Sequence, residues 1–74
     1  MLEYGVVSSN VRNDLYAEIL CDGVQCAEIY IVDRENMKIN IKTFSGTDFD
    51  VDCDTFLSIV LAAKKRLLEV EGLI

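Results

Sequence analysis

The sequence predicts an α+β domain: an antiparallel β-meander of four to five strands with one C-terminal α-helix packed on one face. Three observations predict it. Apolar residues alternate with polar ones over several short runs. Turn residues separate those runs at close intervals. A single long stretch, residues 54–71, switches to helical spacing.

The helix is the clearest element. Phe56, Ile59, Val60, Ala63, Leu67 and Val70 recur three and four residues apart and share one face. Asp54 is the expected N-cap, with Asp52 adding negative charge near the positive end of the helix dipole. Gly72 stands where a left-handed residue would end the helix. Eighteen residues at ~1.5 Å each span about 27 Å, enough to cross a small sheet diagonally. Leu57, Leu61 and Leu68 form a second stripe, roughly 100–140° around from Phe56 at ~3.6 residues per turn. This stripe is either the margin of a wide buried face or a contact surface.

The first strand is read at 2–9, with Leu2, Tyr4 and Val6 alternating and Gly5 expected at a bulge. Strands at 14–20 and 25–32 follow, sharing the pattern x-Ala-Glu-Ile-x around Asp22-Gly23. A two-residue loop at Asp22-Gly23 would set Ala17 against Glu28 and mix charge into both faces. A three-residue loop, Cys21-Asp22-Gly23, pairs Ala17 with Ala27 and keeps the faces pure, because a one-residue slip turns every side chain over. The longer loop is therefore expected. By the same reasoning Arg34-Glu35-Asn36 is a three-residue loop with Asn36 left-handed, pairing Ile31 with Ile39. In the strand at 37–44, Met37, Ile39 and Ile41 point in while Lys38, Asn40 and Lys42 point out. Ser45-Gly46-Thr47 is the third turn. Residues 48–53 are the last strand, with Phe49, Val51 and Cys53 inward. Short connections place each strand beside its sequence neighbour.

Seventy-four residues make one domain with a small core, and small folds of this size often gain stability by oligomerising. No apolar run reaches the ~20 residues of a membrane span. The N-terminus lacks a basic region followed by an apolar one. Three cysteines, Cys21, Cys26 and Cys53, do not make a disulfide framework. Free thiols in a cytoplasmic protein are expected. The net charge of −6 opposes direct binding to nucleic acid or to an anionic membrane. The chain has no histidine, the commonest general base. No residue pattern calls for a metal, a cofactor or a catalytic role.

Three surfaces remain for function. Asp48, Asp50, Asp52 and Asp54 are spaced two apart. They fail as a calcium loop, because the glycine and the closing acid are missing and Ile59 stands at the twelfth position. On a strand they would lie roughly 7 Å apart and not converge on one cation. They are read as a charged edge, or as a row that meets a basic partner surface. The outer sheet face would present Tyr16, Leu20, Val24, Cys26, Tyr30 and Val32, with Glu18 and Glu28 facing Lys38 and Lys42. Paired tyrosines on an open face suit an interface. The third surface is the Leu57, Leu61, Leu68 stripe.

The function expected is therefore non-enzymatic. The chain reads as a small acidic protein-binding module, in its concrete form an inhibitor that occupies a basic, nucleic-acid-binding surface of a partner. Small acidic inhibitors of the anti-CRISPR class act in this way, an analogy of size and charge. The alternative is a structural module that forms homodimers or assemblies through the outer face or the leucine stripe. A thin sheet under one helix leaves little volume for a catalytic pocket.

Overall fold

The computed structural model describes residues 1–8, 14–33, 35–42 and 50–74. Within them are four strands, β1 (Leu2–Ser8), β2 (Leu15–Cys21), β3 (Val24–Asp33) and β4 (Asn36–Ile41), followed by one helix, α1 (Cys53–Val70). The strands form one antiparallel sheet in the order β1-β2-β3-β4, the expected meander, and α1 packs on one face of it.

Ala17, Ile19, Ala27 and Ile29 face inward as expected, but the turns achieve this by another route. Asp22 and Gly23 both have positive φ, 50° and 83°, and close a two-residue hairpin between Cys21 and Val24. That is the type I′ geometry matched to the right-handed twist of paired strands. Leu20 pairs with Gln25, yet Ile19 pairs with Ala27, so Cys26 is an extra residue on β3. This bulge restores the parity that the short turn would have lost. Ala17 therefore meets Ile29, not Ala27. The second hairpin repeats the solution. Asp33 pairs with Asn36, and the register shifts before Ile31 meets Met37 and Ile29 meets Ile39, leaving Val32 as the extra residue. Asn36 is not left-handed. Instead its amide Nδ2 donates to both carboxylate oxygens of Asp33, at 3.1 and 3.0 Å, and its backbone N–H donates to the same carboxylate.

Three further expectations change. Gly5 pairs with Glu18 in unbroken register, so β1 has no bulge there. Residues 50–52 carry no strand, and the third turn and the start of the expected last strand lie outside the described residues. The helix begins at Cys53, which is exposed rather than turned inward. Its N-cap is Asp52, whose carboxylate accepts from the Thr55 backbone N–H at 2.9 Å and the Thr55 hydroxyl at 2.8 Å. Asp54 lies in the first turn. Asp52 wins because only a cap with extended backbone, here φ −62° and ψ 125°, can turn its carboxylate back onto the open amides. At the other end Gly72 has φ 73°. Leu73 N–H donates to the Leu68 carbonyl and Gly72 N–H to the Glu69 carbonyl, the paired closure of a Schellman motif.

The core is small. Ala17, Ile19, Cys26, Ala27 and Ile29 of the sheet bury against Ala63 and Leu67 of α1. Val6, Leu15, Ile31, Met37, Phe56, Ile59 and Val60 pack around them. Three alanines among seven buried residues let the helix approach the sheet closely. That approach is made over β1 and β2. The helix does not lie across the middle of the sheet, and this offset decides which surfaces stay open.

Candidate functional site

The offset leaves one side of the molecule incomplete. Strand β4 presents Ile39 and Ile41 toward the helix layer, in register with the buried Ile29 and Ala27. Yet Ile39 is 41% exposed and Ile41 64% exposed. On α1, Leu57 and Leu61 are 55% and 66% exposed, while Leu68 is half-buried. The second leucine stripe is thus not simply the margin of the buried face.

A shallow open groove of about 160 Å³ lies between the sheet and the helix, lined by Ile29, Met37 and Ile39 of the sheet and Val60 and Lys64 of the helix, with Lys38 at its edge; Ile41, Leu57 and Leu61 lie outside its lining. At about 100° per residue, Leu57 and Lys64 lie next to each other around the helix, on the flank that turns toward β4. The groove is apolar at its floor and cationic at its rim. A second groove lies on the opposite flank of α1, where Tyr4, Val6 and Leu15 face Arg66 and Val70. Neither groove is lined by Cys26, Cys53 or Tyr30.

The outer face is less uniform than the sequence suggested. Tyr16, Leu20 and Tyr30 are on it, each half-buried, and Val32 is exposed at its bulge. Cys26 is not on it. The bulge swings Cys26 into the core, where it is only 4% exposed, and burial pushes its thiol above the ordinary cysteine range. Such a thiol is a small hydrophobe rather than a nucleophile. Val24 also departs from the expected face, because it stands opposite Cys21, and Cys21 packs against the core. On this face Glu18 and Glu28 are directly opposed. Gln25 Nε2 donates to Glu18 at 3.2 Å, and Lys42 Nζ lies 3.6 Å from Glu28. A polar network therefore crosses this face.

The aspartates do not form a row along a strand. Asp48 lies outside the described residues. Asp50 and Asp54 are exposed, and Asp52 is occupied in capping. Its hydrogen bonds from Thr55 hold its carboxyl below the usual range. Among the described residues no group of His, Cys, Asp or Glu is placed to hold a metal ion, and no helix is long and apolar enough to cross a membrane.

Sequence reasoning found the leucine stripe but not the exposure of β4, since Ile39 and Ile41 read as core. The signal that could have found it was numerical: one helix of about 10 Å covers only about two strands spaced ~4.8 Å apart. Comparison with protein-family models, curated proteins and solved structures gives no match.

Proposed function

We propose that this chain is a non-enzymatic protein-binding module, and that its contact surface is the exposed strand β4 together with the leucine flank of α1. The observation that carries this reading is the exposure of Ile39 and Ile41 on β4 and of Leu57 and Leu61 on α1. Single exposed apolar residues are ordinary on a protein surface. Four large ones on the two elements that contribute Ile39, Val60 and Lys64 to one groove suit an interaction surface. The test is capture from an extract of the source cell on immobilised wild-type chain, Leu61→Glu and Ile41→Glu, with retained proteins identified by mass spectrometry. A protein held by the wild type and lost with both variants supports the reading. Identical sets of retained proteins on all three would sink it.

A narrower form keeps the acidic inhibitor. Its support is the net charge of −6 and the exposure of Asp50 and Asp54 beside the helix start. In this form the acidic end of α1 meets a basic, nucleic-acid-binding groove of a partner. Affinity should then fall with added salt and fall again when Asp48, Asp50 and Asp54 are changed to asparagine. Affinity that ignores both changes removes the electrostatic version and leaves the apolar one.

A further inference from the structure

We infer that β1 is a docking edge for an extended segment of another protein. The segment adds to the sheet as a further strand and sets an apolar residue and an acidic residue, two positions apart, beneath the Arg66 flank of α1. This surface lies on the opposite flank of the helix from the one proposed above and stands independently of it.

The first observation is the edge itself. Among the described residues β1 pairs only with β2, in an unbroken register of 7 residues. Edge strands are usually guarded by lysine, proline or a bulge. At the other edge β4 carries Lys38, with Lys42 just past its end. Strand β1 has no lysine, no proline and no bulge, and Glu3 is its single charge. The Met1 carbonyl accepts from the Asp22 N–H, next to the pair of Leu2 with Cys21. Antiparallel bonding alternates from there, so Glu3, Gly5 and Val7 bond to β2. The backbone N–H and C=O groups of Tyr4 and Val6 are left turned outward, to the side where another strand would lie. Gly5 stands between them, with nothing within 4 Å of where a Cβ would be. A glycine in a strand leaves room for a second backbone to come close.

The second observation is the groove beside that edge. Tyr4 and Val6 stand opposite Ile19 and Ala17, which puts their side chains on the helix side of the sheet. With Gly5, Leu15, Arg66 and Val70 they line an open groove of about 460 Å³. Tyr4 and Val70 are exposed, and Val6 and Leu15 are half-buried, so its apolar lining can be reached. Alternate residues of a strand lie ~6.6 Å apart on one face. Arg66 and Val70 are four apart on α1, ~6 Å along its axis. Two successive helix-side residues of an added strand therefore match Val70 and Arg66 in spacing.

Charge chooses the chemistry. Arg66 is exposed and makes no ion pair with Glu69 or any other acid among the described residues. It is the one charged residue in the lining of this groove. A planar guanidinium holds a carboxylate through two parallel hydrogen bonds. The remaining lining takes an apolar side chain. The net charge of −6 opposes a run of acids, so the segment carries a single acid at this place. Segments that join a sheet edge gain affinity from main-chain bonds and specificity from alternate side chains, and β1 with its groove offers both.

The experiment pans a phage-displayed library of random heptapeptides on the immobilised full chain. The peptide most enriched is then synthesised with a fluorescent label and titrated by anisotropy. Enriched peptides are expected to share an apolar residue and an Asp or Glu two positions apart. Arg66→Glu should weaken binding at least about tenfold, and replacing the peptide's acid by lysine should restore binding to that variant. Circular dichroism should show Arg66→Glu folded, because the position is exposed. Amide hydrogen exchange gives a reading that a side-chain contact alone would not. The Tyr4 and Val6 amides should slow at least about tenfold in the complex, while Gly5, already bonded to β2, changes less. Three results overturn the inference: no peptide enriched over a blank surface, binding that ignores Arg66→Glu, or new protection at β4 in place of β1.

Discussion

Asp52 does the work of two residues at the start of α1. Its carboxylate satisfies the Thr55 amide and the Thr55 hydroxyl at once, and these bonds favour the charged form. Asp52→Ala should lower the melting temperature by about 4–8 °C at neutral pH, the size of a lost cap in a small domain. Because the folded-state pKa is lowered, the carboxylate's contribution is present above the ordinary carboxylate value near ~3.9. It is lost as pH falls through the lowered folded value. The gap between wild type and variant should therefore shrink in acid, which thermal melts at neutral and strongly acidic pH can check. Glu18 offers a change of opposite sign. It faces Glu28 directly across β2 and β3, and like charges in that position are unfavourable. Glu18→Gln keeps an acceptor for Gln25 and should stabilise the fold by about 0.5 kcal/mol in urea melts, less at high salt.

At the scale of elements, the hairpins share a device. Each closes with a two-residue connection and then inserts one residue into β3, Cys26 after the first turn and Val32 before the second. The pure apolar face required by the core thus fixes the parity of the register, while turn chemistry fixes the loop length, and the bulge reconciles the two. The helix end is equally specific. Gly72 adopts φ 73° in open space, with nothing within 4 Å of where a Cβ would stand. The cost of a side chain there is purely conformational. Gly72→Ala should destabilise by about 1 kcal/mol, and hydrogen exchange should localise the loss to the last turn, at the amides of Glu71, Gly72 and Leu73. Loss spread evenly over the sheet would contradict this assignment.

At the scale of the whole molecule the buried core is small. Among the described residues seven form the buried cluster, three of them alanine, and Ile19 and Leu67 are the largest side chains sealed within it. Leu67→Ala should cost about 3 kcal/mol, a large part of the total for so small a domain. Leu61→Ala should cost almost nothing in a dilute monomer. Thermal melts of both variants at low concentration check these two values.

Alternation and spacing along the chain were enough to read the meander, the helix, the inward side of β4 at Met37, Ile39 and Ile41, and the capping glycine. These follow from rules of period two and period 3.6 that act within a few residues. The bulges were not legible, because Cys26 and Val32 look like any other strand residue. They exist only as the remainder after a turn and a face have each imposed a count. The N-cap moved by two residues, from Asp54 to Asp52, for a similar reason, since both aspartates qualify locally and backbone geometry chooses between them. The binding surface was legible in half. Leu57 and Leu61 announce an extra apolar arc on the helix, but nothing local tells Ile39 and Ile41 that they will be left uncovered. That outcome depends on where the helix comes to rest, which is over β1 and β2. Periodicity fixes which side a residue faces. Only the packing of one layer on another fixes whether anything is there to meet it.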